Sequence, residues 1–221
     1  MKKALGLLVF ILCLTSTAFG QVLVNTASVQ PHFGGSLSIS NVDYQFDQKT
    51  FNVERSIVGL GLSASLNPSV DFLLQVAGTF GDKYDDLHRW NGNGYMVGTG
   101  ANFQFYTSEF VNLIGYGLFN YTQENYTYSS DNHDLTMLDM HVGGLVVAKA
   151  SPEITVYCGP EYIPYSEGKL KFNRKDQDIS RADSLNFKVG MNVKLDNNLV
   201  LKPEVTFLNE QTITLALDFL N

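Results

Sequence analysis

The sequence predicts an all-β fold: a closed, antiparallel, up-and-down transmembrane barrel of about ten strands, with eight as the alternative count. Three observations carry this. Apolar residues recur at every second position, segment after segment, from residue 31 to the C-terminus. Short turns alternate with longer polar connections along the chain. The apolar phase holds no Asp, Glu, Lys or Arg over its central spans, while the polar phase holds the charges among many Gly and Ser residues. A midplane Lys or Arg facing lipid costs about 2–4 kcal/mol, so that exclusion is what a membrane imposes. A soluble sandwich would set its polar phase in bulk water and would not need the Gly and Ser.

The N-terminal segment reads as an export signal. Lys2 and Lys3 precede an apolar run from Ala4 to Leu14, and Ala18 and Gly20 form a small-x-small site before Gln21. The run is short of the ~20 residues a spanning helix needs, which argues against an N-terminal anchor. Cys13 lies inside the apolar run rather than at a lipoprotein cleavage site. Residues 1–20 are therefore expected to be removed and 21–221 to form the barrel. The 15 basic residues less Lys2 and Lys3 leave 13 against 22 acidic, a net charge of -9. That balance argues against nucleic acid as a partner.

Ten strands follow in order. The first, 31–44, alternates at Phe33, Gly35, Leu37 and Ile39; the second, 51–66, at Val58, Leu60, Leu62, Ala64 and Leu66. The third, 70–81, presents Phe72, Leu74, Val76, Gly78 and Phe80, and the fourth, 94–106, presents Tyr95, Val97, Ala101, Phe103 and Phe105. The fifth, 110–122, is apolar on both faces. The sixth, 135–148, shows Leu138, Met140, Val142 and Val146, and the seventh, 153–165, shows Ile154, Val156 and Cys158. The eighth, 184–195, alternates from Leu185 to Leu195 without a break. Leu199, Leu201, Val205 and Phe207 mark the ninth, 199–208; Ile213, Leu215, Leu217 and Phe219 mark the tenth, 212–220. Turns at 67–69, 107–109, 149–153 and 196–198 are short, whereas 82–93, 122–134 and 166–183 read as long polar loops. Aromatic girdles are expected at both ends: Tyr44, Phe46, Phe51, Phe80, Tyr84, Tyr95 and Tyr121 near the loops, and Phe72, Phe103, Phe105, Phe110 and Phe219 near the turns.

The polar phase carries Asp71, Asp139, Glu161, Lys188, Lys194, Lys202, Glu204 and Asp218. Closing hairpins at the short turns predicts charge pairs across the lumen. Lys188 falls diagonal to Glu204, Lys202 opposite Asp218, and His141 opposite Glu161. Opposite residues sit about 4.5–5.5 Å apart at Cβ, within reach of contact. Ten strands imply a narrow interior, with Leu145, Val147, Tyr157 and Tyr116 filling one half and small residues of the first four strands leaving an off-centre crevice.

On the signal segment, the hairpin pattern and the terminal strand Ile213-Thr214-Leu215-Ala216-Leu217-Asp218-Phe219, the chain resembles the small bacterial outer-membrane barrels of the opacity-protein and porin-like group. The resemblance spans 21–221 and departs at the end, where Phe219 is followed by Leu220 and Asn221. It implies residence in the outer membrane, contact with its lipid, and insertion by machinery that reads the C-terminal strand. The function it implies is structural or narrow and porin-like. The alternative is a surface adhesin or ligand-binding barrel acting through its extracellular loops.

An outer-membrane hydrolase is the weakest reading. Asp85-Asp86 and His133-Asp134 are the residues it would use, but such pairs recur in any polar loop. No two of His32, His88, His133 and His141 share a metal-ligand spacing. Cys158 lies outward as a small hydrophobe, and Asp176-Gln177-Asp178 lacks the Gly turn of a calcium loop. No catalytic residue, cofactor or metal is expected.

Overall fold

The computed structural model describes residues 32–47, 49–83, 91–128, 131–172 and 175–220. The expected signal segment, its cleavage site, Tyr84, Asp85-Asp86 and His88 lie outside the described residues. Eleven strands run in chain order: β1 (His32–Phe46), β2 (Lys49–Asn67), β3 (Val70–Lys83), β4 (Asn91–Thr107), β5 (Val111–Tyr128), β6 (Asp131–Lys149), β7 (Ile154–Phe172), β8 (Lys175–Arg181), β9 (Leu185–Asp196), β10 (Leu199–Leu208) and β11 (Glu210–Leu220). Each pairs antiparallel with its neighbours, and β11 pairs with β1 over eleven register positions, from His32↔Leu220 to Val42↔Glu210. That seam closes the ring. It removes the free edge that hydrocarbon forbids, because an unpaired backbone group in lipid finds no water.

The ring has two strand counts. At membrane depth it contains ten strands, β1–β7 and β9–β11, and β8 is the extra one. β8 and β9 form one descending path interrupted at 182–184. β9 pairs with the lower part of β7, from Ile154↔Val193 to Tyr162↔Leu185, while β8 pairs with its upper part, from Gly168↔Ile179 to Phe172↔Lys175. On its other side β8 meets β1 at Tyr44↔Arg181 and Gln45↔Ser180, directly above the point where β11 begins. The tall-hairpin end, called the outer end below, is thus a ring of eight, and the β10–β11 hairpin is a wedge inserted only into the opposite part of the wall. Lengths explain this: β9, β10 and β11 have 12, 10 and 11 residues, near the ~9–11 that span a bilayer, whereas β2, β6 and β7 have 19 each and project beyond it.

The segments expected as loops at 122–134 and 166–183 are largely ladder. β5 and β6 pair out to Tyr128↔Asp131, and β7 and β8 form a tall hairpin. Their polar residues misled the periodicity because the outward face stands in water and needs no apolar stripe, leaving only scattered inward residues such as Tyr126, Leu170 and Ile179 to mark the strands. Two registers also differ from expectation by two residues. Lys202 stands opposite Ala216, not Asp218, because the β10–β11 turn closes tightly around Asn209, with Leu208 at φ 102°. Glu161 stands opposite Gly143, not His141. The β9–β10 pairing places Lys188 opposite Thr206, with Glu204 on the diagonal.

Exposure separates the two faces. Outward residues such as Leu60, Leu74, Val76, Val97, Phe119, Val146, Val189, Val205 and Leu215 are exposed and form the apolar belt. Phe80, Tyr95 and Tyr121 lie on this face, but Tyr44, Phe51 and the half-buried Phe46 that packs on them do not. Tyr44 and Phe51 point inward and are buried in the narrowed outer ring. Their sequence position near a hairpin end suits either a girdle or a plug, and parity within the extended β1 and β2 decides for the plug.

Leu208 holds a left-handed backbone that costs a non-Gly residue about 1–3 kcal/mol. Leu208→Gly is expected to raise stability by roughly 1 kcal/mol. A urea titration of the vesicle-inserted chain, read by heat-modifiable mobility, measures it; a loss of that size would show that the Leu208 side chain offsets the strain.

Candidate functional site in the barrel interior

The inward positions alternate with the belt, so each strand contributes every second residue to the lumen. Near the outer end these residues are apolar. Val42, Tyr44, Phe51, Val53, Tyr126, Leu135, Met137, Leu170 and Ile179 form one buried cluster, with Phe46 packed against it. A ring of eight is narrow enough for side chains to fill. Beside that cluster Arg55 donates to Glu124 Oε2 at 3.0 Å and to the Tyr44 hydroxyl at 2.5 Å, and the Tyr126 hydroxyl donates to the same Glu124 oxygen at 2.9 Å. The Arg55 guanidinium also lies 5.8 Å from the Tyr44 ring centre.

Where eight strands become ten, Arg181 ties three elements together. Its guanidinium reaches Asp139 Oδ2 on β6 at 3.2 Å and Glu210 Oε2 at the start of β11 at 2.6 Å. Two side-chain–backbone bonds seal the wedge tip: Asn209 Nδ2 donates to the Leu185 carbonyl at 2.6 Å, and the Glu210 amide donates to Asn186 Oδ1 at 3.0 Å.

The middle of the lumen is organised on Glu161. Lys188 Nζ is 2.9 Å from Glu161 Oε2, the Tyr116 hydroxyl donates to that same oxygen at 2.9 Å, and His141 Nδ1 lies 3.3 Å from Oε1. Asn186 Nδ2 donates to Oε1 at 3.4 Å. Lys188 also faces Glu204 at 3.9 Å, and Glu204 accepts from the Tyr157 hydroxyl at 2.9 Å. Nearer the turns Lys202 and Asp218 are in direct contact. The structure therefore brings Lys188 near Glu204, His141 near Glu161 and Lys202 onto Asp218, the last two across diagonals rather than rungs. Long side chains span a diagonal as readily as a rung, so the contacts tolerate a register two residues away.

Glu161, Glu204, Lys188 and Asp218 are all within 3% of full burial. Below them Leu73, Ile114, Tyr116, Leu118, Leu145, Val147 and Tyr157 make a second apolar cluster. It includes the four residues expected to fill one half of the lumen. Two glycines act as sockets for its tyrosines: a Cβ at Gly143 would overlap the Tyr116 ring, and one at Gly190 would overlap Tyr157. On the side expected to hold a crevice, Ser36, Ser38 and Ser40 of β1 are buried. Ser38 and Ser40 bond at 2.9 Å to Thr214 and Thr212 on β11.

Sequence reasoning missed the Arg55–Glu124 pair, the Arg181 ties and the Tyr-over-Gly sockets. Arg55 and Glu124 lie 69 residues apart on strands that do not pair, and no local spacing links them. Arg181 sits within 166–183, whose composition reads as a long polar loop. The hydrolase reading loses its second pair, because His133 points inward and is buried while Asp134, one residue on, points the other way. Among the described residues no group of three or more His, Cys, Asp or Glu is placed to hold a metal.

No protein-family model matches the chain, and no curated protein matches it. Solved structures do. The translocator domain of the autotransporter NalP from Neisseria meningitidis superposes with a TM-score of 0.52 at 10% identity, over 89% of this chain and 90% of that one. An outer-membrane channel from Pseudomonas putida F1 gives 0.48 at 12% identity, over 91% and 99%. The transport unit of the autotransporter AIDA-I from Escherichia coli gives 0.48 at 12% identity, over 90% and 92%. The NalP superposition supports the closed transmembrane-type barrel fold and nothing narrower.

Breaking one member of a buried pair strands the other charge. Lys188→Met is expected to destabilise by about 3–5 kcal/mol, and adding Glu161→Gln to it should recover part of that loss. Urea midpoints of the inserted protein read both; equal stability for Lys188→Met and wild type would mean that water reaches Glu161.

Proposed function

We propose that the chain is an exported outer-membrane barrel with a structural role, closed to solutes at rest and without catalysis. Residues 1–20 direct export. The C-terminal strand is read by the insertion machinery, the termini face the periplasm, and the tall hairpins face outward. The observation that carries this reading is a lumen crossed by two buried apolar clusters, one near the outer end and one toward the turns, with buried ion pairs between; the space left open lies beside Gly61 on β2, on the side expected to hold the crevice. A solute path needs side chains that leave room for water, and barrels of this strand number fill their interiors. Lys202–Asp218, Lys188–Glu204 and His141–Glu161 act in this reading as lumen charge pairs that neutralise buried charge and hold the wall shut. NalP's domain is described as a translocator; the same task here would require the interior to be cleared first.

A second reading, a surface adhesin or ligand-binding barrel, is favoured by the height of the β5–β6 and β7–β8 hairpins, since rigid projecting elements commonly present recognition surfaces.

Planar-bilayer recording tests the closed state. Wild type should give no steady conductance steps. The Tyr116→Ala/Tyr157→Ala variant should open a small one, and it should favour cations. The reason is the lumen's fixed charge: Arg55, Arg181, Lys188 and Lys202 face Glu124, Asp139, Glu161, Glu204, Glu210 and Asp218. Porin-like conductance in wild type would overturn the reading. The charge pairs have their own test, a Lys202→Glu/Asp218→Lys double-mutant cycle. Each single reversal should lower the melting point of heat modification and the double should restore it, whereas additive losses would remove the pair from the closure.

A further inference from the structure

A groove of about 790 Å³ opens where β8 bridges β7 to β1. Its outward side chains are Gln45 on β1, Tyr165, Glu167 and Lys169 on β7, and Asp178 and Ser180 on β8. It exists because the ring changes strand number there. With the β10–β11 wedge ending below, β7, β8 and β1 become neighbours and form a three-strand platform. The ladder fixes the side chains in rows: Ser180 is partnered with Gln45, and Asp178 with Lys169.

The position is set by the sequence of β7. Its outward row reads Ile154, Val156, Cys158, Pro160, Tyr162 and Tyr165, then turns charged at Glu167 and Lys169. The groove begins at that boundary, where the apolar belt gives way to water. Tyr165 lies on its apolar edge. Its hydroxyl donates to Glu167 Oε2 at 2.9 Å, which anchors the ring while leaving it 40% exposed.

The chemistry is mixed. Glu167 and Asp178 accept, Lys169 donates, Gln45 and Ser180 do both, and one aromatic face is held beside them. A sugar ring presents hydroxyls that donate and accept at once, with an apolar C–H face that stacks on an aromatic ring. Asp47 at the groove's edge brings the carboxylates to three against one lysine, which disfavours polyanions. Lys169 stands beside Asp178 and offsets it, so the groove is not simply a trap for cations.

We propose that this groove is a binding site for hydroxyl-rich saccharide, either free oligosaccharide or the sugar of a neighbouring glycolipid. The proposal rests on the outward orientation of the hairpins and is independent of whether the barrel conducts. The full chain is refolded in a sugar-free detergent and probed by saturation-transfer NMR with an uncharged oligosaccharide, maltohexaose. It is also reconstituted in phosphatidylcholine nanodiscs with and without a neutral glycolipid, digalactosyl diacylglycerol. Tyr165→Ala removes the stacking face, and Tyr106→Ala removes an exposed aromatic at the opposite end of the wall. Heat-modifiable mobility confirms that each variant folds, and Asp178→Asn serves if Tyr165→Ala does not.

Binding of the free oligosaccharide, weakened at least tenfold by Tyr165→Ala or Asp178→Asn and unchanged by Tyr106→Ala, supports a site for free sugar. Retention of digalactosyl diacylglycerol alone, lost in the same groove variants, supports the site with lipid-borne sugar as its source. Binding of neither, binding indifferent to the groove variants, or displacement of the sugar by octalysine overturns it. Conduction without loss of sugar binding would remove the closed-barrel reading and leave this one standing.

Discussion

Ring closure is the constraint on which the rest of this molecule depends. In lipid a backbone amide or carbonyl without a partner costs several kcal/mol, so neither β1 nor β11 could stand as an edge. Their antiparallel seam satisfies both at once. Closure in turn fixes which residues face inward. Once β1 and β11 meet in register, Asp218 lies beside Gly34, where a side chain on Gly34 would collide with its carboxylate. The lumen charges are therefore a consequence of the wall as much as a cause of it.

Those charges must then find partners, because hydrocarbon and packed side chains solvate them poorly. The interior answers with shared acceptors rather than isolated pairs. Glu161 takes Lys188, His141, Tyr116 and Asn186; Glu124 takes Arg55 and Tyr126. Such networks are exacting, since each member is satisfied only while the others stay in place. The same holds for the tyrosines, whose rings lie over glycines that no larger residue could replace without moving them.

The wall was legible in the sequence because two different solvents meet at it. Lipid outside and a crowded lumen inside enforce a period of two. Leu185 through Leu195, where no residue breaks the alternation, identified β9 to within a residue at each end. Legibility stopped where one solvent disappeared. Above the membrane both faces of β5, β6, β7 and β8 meet water or plug, and the alternation that marks a strand dissolves into Asn, Asp, Lys and Tyr. The interior contacts split along the same line. Pairs on adjacent strands follow from turn position to within two residues. Arg55 with Glu124 and Arg181 with Asp139 join strands that are not neighbours, and only the closed circumference brings them together.

The tapering strand count makes the wall modular. The outer ring is formed by the upper parts of β1–β8, and the β10–β11 hairpin meets it at Glu210, which accepts from Arg181 on β8 and stands opposite Val42 on β1. A hairpin in that position can be added to the wall or removed from it while the platform of β7, β8 and β1 above it keeps its neighbours. Circumference at membrane depth and architecture at the tall-hairpin end are thus separable features of this fold. Strand number alone is then a poor measure of kinship between barrels built this way.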